Sequence, residues 1–359
     1  MIQPTAAPFY LDCDTGIDDA LALAYLLATP RAELVGIGTV SGNISAAGGA
    51  RNTLDLLKLA GHPDIPVAIG AHDPQVGSFH GGAPHVHGDN GIGGVELALS
   101  DREPVEATAA ELLVQLAHKH AGALRIVAIG PLTNIAEALR LEPKLPELVA
   151  EITIMGGAAL APGNITPVAE ANVANDPEAA AEVLAADWNV TLVPLDVTMT
   201  NVLEETHRQE LLESEHPVSQ ALGDMLGYYF GFYVDIFGRA CSAMHDPLAA
   251  AIAVRGVELT AAPTVRVEVD TTNGPGRGQT VCDLRGQYLG FPDQSGARCR
   301  VVLEIGEDFA PHLLGTMQAA WLSEEELAAP VAKLAGATIS DDGGGEVPPS
   351  SWFNAPRRT

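Results

Sequence analysis

The sequence predicts an α/β protein: a doubly wound, mainly parallel sheet with helices on both faces and a small C-terminal β segment. Three observations predict it. Short apolar runs alternate with helical segments through the first half of the chain, the rhythm of βαβ units. Asp14, Asn43, Asn134, Met155-Gly156-Gly157 and Asp196 collect where those runs end, the edge at which an open parallel sheet binds ligands. Finally, residues 8–28 (PFYLDCDTGIDDALALAYLLA) set four aspartates, Asp12, Asp14, Asp18 and Asp19, around a turn at Thr15-Gly16.

The elements follow in order. Phe9-Tyr10-Leu11 reads as a buried strand, and residues 20–28, rich in Ala and Leu, as an apolar helix. Residues 33–40 form a second strand ending in Ser41-Gly42-Asn43, then come a helix over 48–60 and a short strand over 65–69. Residues 71–95 carry His72, His80, His85 and His87 among many glycines and read as a long loop, a candidate lid. Helices over 105–121 and 132–141 flank a strand over 124–129, and a strand over 152–155 ends in two glycines. Pro177 opens a helix to about 186, before a strand over 190–195. Residues 222–240 form an aromatic-rich helix in which Tyr229 and Tyr233, four apart, share a face; they pack a core or line a pocket. After His245-Asp246-Pro247 comes an apolar helix; residues 263–305 are β-rich and 307–334 helical. One domain is expected over 1–339, and a Gly/Pro/Ser-rich, disordered tail over 340–359.

Composition narrows the function. Net charge is −27, which disfavours nucleic-acid phosphates and anionic membranes. No apolar run approaches the ~20 residues of a membrane span. The N-terminus lacks a basic, then apolar leader, and four widely spaced cysteines suggest reduced thiols, so a cytoplasmic protein is expected.

Strand alternation puts Asp12 and Asp14 on one face unless the turn begins early. Carboxylates this crowded repel unless a cation neutralises them, and oxygen-only ligands suggest a hard ion, Ca²⁺ or Mg²⁺. Helix capping explains one or two of these acids, not four in eight residues. His245-Asp246 reads either as a helix cap or as a fifth carboxylate for the ion with an acid over the cleft. Zinc at the four-His loop is disfavoured by irregular spacing and the absence of a cysteine there.

The motif Asp12-x-Asp14-x-Gly16-x-Asp18-Asp19 resembles that of the inosine–uridine nucleoside hydrolases. The likeness continues through VSGN to Asn43, His87-Gly88, GPLTNIA from Gly130, IMGGA from Ile154, GNITPVAEANVANDPEAA over 163–180, HDPLA from His245 and Gly278-Gln279-Thr280-Val281. The resemblance implies a doubly wound fold with one Ca²⁺ at the bottom of a deep pocket. It places Asp14, Asp19, Asp246 and the backbone carbonyl of Ile129 on the metal. Asp18 would hold a ribose hydroxyl; Asn43, Asn164, Glu170 and Asn172 would grip the sugar, with Met155 beneath it. His87 and His245 would face the base, and Tyr229 and Tyr233 the leaving group. Two positions depart from the family pattern: Ala171, where relatives often carry Phe, and Gly93 in the lid.

The implied reaction is hydrolysis of a ribonucleoside N-glycosidic bond, with Asp14 as general base and His245, titrating near neutrality, as acid. Trp188, Trp321 and Trp352 fall outside the matched positions, which leans toward pyrimidine or broad base preference. The family's homodimers or homotetramers are expected here too. Two other readings compete. A haloacid-dehalogenase-type, Mg²⁺-dependent phosphatase also opens on a strand and Asp-x-Asp, but needs a downstream Lys in a chain poor in basic residues. A non-catalytic nucleoside-binding protein would not need the full set of acids.

Overall fold

The first strand, β1 (Ala7–Cys13), is buried from Phe9 onward and occupies the middle of an eight-stranded sheet. The computed structural model describes residues 6–321. On one side of β1 lie β2 (Ala32–Thr39) and β3 (Val67–Ile69); on the other lie β4 (Leu124–Ala128), β5 (Val149–Met155) and β6 (Val190–Val193). These six strands are parallel, in the order 3-2-1-4-5-6. The order therefore reverses between β1 and β4, and the crevice outside their C-terminal ends is the expected ligand site.

Side-chain alternation explains the two covered faces. Phe9, Leu11 and Cys13 point into the core that holds helix α1 (Ile17–Ala28), whereas Tyr10 enters the opposite core with the helix Ala109–Lys119. Asp12 shares the Tyr10 face. It accepts from Tyr10 Oη at 3.1 Å and from Asn134 Nδ2 at 3.1 Å. Asn134 also donates to the Thr39 carbonyl and accepts from Ala71 N, tying the ends of three strands together. β1 stops at Cys13, so Asp14 leaves the pleat, and the expectation that Asp12 and Asp14 share a face fails for that reason.

Several bounds differ from expectation for local reasons. The helix expected over 105–121 begins at Ala109, because Thr108 and Glu111 form a capping box while Val105 bridges to Ala68. β6 stops at Val193, since Pro194 starts a helical turn over Leu195–Thr198. The aromatic helix runs Pro217–Phe237, opened by a proline and closed by Gly238 in a left-handed conformation. The C-terminal β segment is divided. Cys299–Val301 and Thr264–Val265 extend the main sheet beyond β6, and Val267–Val269 pairs separately with Thr280–Cys282. Three-residue strands are too short for alternation to show which sheet they join.

One element gave no sequence signal. Val202–Glu204 pairs antiparallel with Cys241–Ala243, clipping the chain just before the helix His245–Ala253. That helix packs along α1, and both are rich in alanine, so their N-termini come close. The helix expected over 307–334 is seen over Phe309–Trp321; its remainder, the expected domain end at 339 and the tail over 340–359 lie outside the described residues. Among the described residues no helix is long and apolar enough to cross a membrane.

Asp176 is a buried joint of this frame. Its carboxylate caps the helix Pro177–Ala185 through Ala179 N and accepts from Gln75 N and Thr133 Oγ1 at 2.8–3.0 Å. Asp176→Ala should lower the unfolding free energy by about 3 kcal/mol in a urea titration. A loss under ~1 kcal/mol would show that the joint is dispensable.

Candidate active site

The crevice at the β1/β4 reversal is where the acids meet. One carboxylate oxygen from each of Asp18, Asp19 and Asp246 lies within 4.8 Å of the others, and all three side chains are buried. Asp18 and Asp19 come from the first turn of α1, and Asp246 from the first turn of the facing helix. Asp14 adjoins them: its backbone N donates to Asp19 Oδ1 at 3.1 Å. Its Oδ2 accepts from Asn43 N at 2.6 Å, and Asn43 Nδ2 donates to Asp19 Oδ2 at 3.1 Å. A Cβ at Gly42 would sit 2.1 Å from Asp14 Oδ2, so that turn admits only glycine.

Capping and clustering coexist in these residues. Asp19 accepts from Gly16 N at 2.8 Å and so caps α1. Asp18 does not cap, and its Oδ1, like Asp14 Oδ1, is buried without a hydrogen-bond partner. The N-cap of the helix His245–Ala253 is Met244, so neither His245 nor Asp246 is the cap residue of the plain capping reading.

The two flanking walls differ in kind. On the β4/β5 side, Glu170 is buried and its oxygens accept from Gly157 N, Asn172 N and Val173 N at 2.9–3.2 Å. Asn172 Nδ2 donates to the Ile129 carbonyl at 2.9 Å and to the Met155 carbonyl at 3.2 Å, so the Ile129 oxygen already has one donor. Met155 is buried at the end of β5. Asn164 is exposed in the loop, with its Oδ1 taken by Ala171 N; of the expected sugar-binding set it stands furthest from a ready-made contact.

The opposite wall is aromatic. Tyr229 and Tyr233 meet edge to face at 5.0 Å and are both buried. Tyr233 Oη lies 2.7 Å from His245 Nε2, and His245 Nδ1 lies 2.8 Å from Thr198 Oγ1. In the lid segment, Pro84–His87 forms a helical turn that sends His87 inward, its ring 5.3 Å from Tyr229. His87 Nδ1 accepts from Ile17 N at 3.1 Å, so this histidine helps hold the start of α1. A Cβ at Gly16 would strike His87 Nδ1 at 2.6 Å, which is why the turn residue is glycine. The four histidines of the loop do not converge: His72 packs on Phe79 and His85 on Phe232.

Residues 9–310 match the sequence profile of the inosine-uridine preferring nucleoside hydrolases. The chain belongs to this family. It is 37% identical over 245 residues to uridine nucleosidase 1 of Arabidopsis thaliana, covering 68% of this chain and 73% of the relative. It is 35% identical over 277 residues to the inosine-uridine preferring nucleoside hydrolase of Crithidia fasciculata, covering 77% and 87%. The structure of a plant nucleoside hydrolase superposes with a TM-score of 0.82 at 30% identity, over 88% of this chain and all of the other.

In this nucleoside hydrolase the aspartates set the electrostatics. Burial raises the carboxyls of Asp14, Asp18, Asp19 and Asp246, and mutual repulsion raises Asp14, Asp18 and Asp246 further; Asp18 reaches about 7. No ion pair among the described residues reaches them. Each buried charge costs several kcal/mol, so four together exceed the ~5–15 kcal/mol that holds a domain folded. The carboxylates therefore need protons or a cation. Two orphaned oxygens and an all-oxygen donor set fit a hard divalent metal ion. Burial pushes His245 down to about 4 and His87, chiefly by burial, to about 3. For His245 this lies below the near-neutral titration expected for it, since burial disfavours the imidazolium form.

Sequence reasoning missed Thr198, which no motif marks and which lies 47 residues from its partner. Tyr10 was read only as core, and its hydrogen bond to Asp12 was missed as well.

The raised Asp18 carboxyl fixes a sign. Its folded pKa exceeds the unfolded one, so its contribution to stability is present below about 4 and lost as pH rises through about 7. In metal-free protein, Asp18→Asn should therefore gain stability over wild type as pH rises from about 4 to about 8. Denaturant titrations of both proteins across that range test this. A gap that does not widen would mean that Asp18 is not held in a charge-hostile site, and added divalent cation should close a gap that does.

Proposed function

We propose that this chain hydrolyses the N-glycosidic bond of ribonucleosides to ribose and free base, with Ca²⁺ as its cofactor. The observation that carries the reading is the meeting of Asp18, Asp19 and Asp246 within 4.8 Å beside Asp14. Asp14, Asp19, Asp246 and the Ile129 carbonyl would hold the ion. A bound Ca²⁺ supplies positive charge against the carboxylates and, with room for ~6–8 oxygens, positions for further oxygen ligands.

The chain's own groups then divide the work. Asp14 Oδ1, buried without a hydrogen-bond partner, would take the proton of an attacking water. Asp18 Oδ1, likewise unpartnered, would accept from a ribose hydroxyl. Asn43, Asn164, Glu170 and Asn172 would hold the remaining hydroxyls, over Met155. Water attacks on the face opposite the base, and these hydrogen bonds strengthen as the ring flattens toward an oxocarbenium ion. His87, Tyr229, Tyr233 and His245 form the wall for the base. The buried, neutral His245 bound to Tyr233 supports a hydrogen-bonded relay to the leaving base.

The named relatives act on uridine and on inosine and uridine, which supports pyrimidine or broad base preference. Trp188 fits this reading, since it is buried in the core that also holds Tyr10 and its Nε1 donates to Val183 O; Trp352 lies outside the described residues. Free cysteines at positions 13, 241, 282 and 299 suit a reducing compartment, the cytoplasm. Exposed Tyr288 and Leu289 offer apolar area for a homodimer or homotetramer contact. A phosphatase reading is less well supported, since among the described residues no lysine or arginine ion-pairs with the acidic cluster.

Asp14→Ala should abolish both uridine turnover, followed as free ribose, and Ca²⁺ binding, followed calorimetrically. A kcat within ~10-fold of wild type would remove Asp14 from both roles. His245→Ala should slow uridine far more than p-nitrophenyl riboside, whose leaving group departs without a proton. Equal losses on the two substrates would rule out the relay.

A further inference from the structure

The relay through His245 ends on a residue to which nothing above gives a role. Thr198 is fully buried in the turn Leu195–Thr198, and its Oγ1 lies 2.8 Å from His245 Nδ1. Among the described residues this is the one hydrogen bond made by the Thr198 hydroxyl. The turn is itself held firmly. Asp196 accepts from Ala159, Leu160 and Ala161 N, Asn201 Nδ2 donates to the Val197 carbonyl, and Met244 N donates to the Asn201 carbonyl at 3.0 Å. The last bond couples the threonine's segment to the residue just before His245.

We propose that Thr198 is a positioning residue that fixes the tautomer and ring plane of His245, holding the proton on Nδ1 and leaving Nε2 as the nitrogen that faces Tyr233 and the pocket. The inference rests on the reading of His245 as part of the relay to the leaving base.

The assignment follows from donor strength. A neutral imidazole carries one N–H, and the partner on each nitrogen decides which one carries it. Both partners here are hydroxyls, able to donate or accept. A phenol is the more acidic donor and an aliphatic alcohol the better acceptor. Tyr233 O–H therefore donates to Nε2, and Nδ1–H donates to Thr198 Oγ1. The balance of the step agrees. Before it can act as an acid, Nε2 takes up a proton from solvent to give the imidazolium; when that Nε2–H bond breaks and a new N–H bond forms on the departing base, the ring returns to the neutral Nδ1–H tautomer whose proton Thr198 holds throughout. The proton given up by the attacking water to Asp14 keeps the overall hydrolysis neutral. Without the hydroxyl, Nδ1–H would be buried unpaired and the ring free to turn or change tautomer.

The test pairs Thr198→Val, which keeps shape and removes the hydroxyl, with Thr198→Ser, which keeps the hydroxyl. Thr198→Val should lower kcat on uridine about tenfold or more, the loss of one buried hydrogen bond. KM and turnover of p-nitrophenyl riboside should stay within about twofold. Thr198→Ser should restore uridine turnover. Nitrogen-15 NMR of the imidazole in full-length protein should show the Nδ1–H form in wild type and Thr198→Ser, and a mixture in Thr198→Val. Equal losses on both substrates, an unchanged kcat on uridine, or an Nε2–H form in wild type would each overturn the proposal. Should wild type cleave neither substrate, the hydrolytic reading fails separately, and the NMR comparison decides the role of Thr198 without it.

Discussion

Three buried carboxylates that meet within 4.8 Å, with that of Asp14 beside them and no protein cation among the described residues, are the constraint around which this molecule is arranged. Two of them come from the first turn of α1 and one from the first turn of the helix His245–Ala253, so the cluster exists only because two alanine-rich helices pack side by side. The partial positive charge at each helix start lowers the cost of gathering those acids but does not cancel it. The glycines at 16 and 42 serve the same end, letting His87, Asn43 and Asp14 crowd the turn where a methyl group would force them apart.

Helix capping and ion binding are therefore not rival explanations of the DTGIDD stretch. Asp19 spends its oxygens on Gly16 N, Asp14 N and Asn43 Nδ2, which fixes the turn. Asp14 and Asp18 keep one oxygen each unpaired. The division of labour is between atoms, and a sequence names only residues.

Much of the fold was legible in the chain alone, because parallel strands buried on both faces read as apolar runs and the runs were regularly spaced. The mainly parallel sheet with helices on both faces follows from that pattern; the strand order is seen only in the structure. What stayed hidden was short or non-local. The clip of Val202–Glu204 with Cys241–Ala243 has no period to detect, yet it delivers Asp246. Cys299–Val301, legible only as part of a β-rich stretch, joins β6 and extends the main sheet. Of the residues expected in the site, Asp18, Asp19 and Asp246 meet, with Asp14 beside them rather than in the close group, and Tyr229 packs on Tyr233. Asn164 is turned to a backbone amide, and His245 is shielded enough to stay neutral. Burial of that kind depends on the whole packed surroundings, and no local spacing encodes it.

The two walls of the crevice also differ in how freely they can change. Glu170 and Asn172 are knotted into the main chain of two strands and a helix, so altering either loosens the scaffold before it alters recognition. On the facing wall Tyr233, His245 and His87 are hydrogen-bonded, but Tyr229 and Phe232 meet their neighbours chiefly through ring contacts, where one ring can be traded for another at smaller cost. Descendants of such a protein can drift in what they accept on the aromatic side while the other side stays locked, so diversity across a lineage should accumulate along one half of a single cleft.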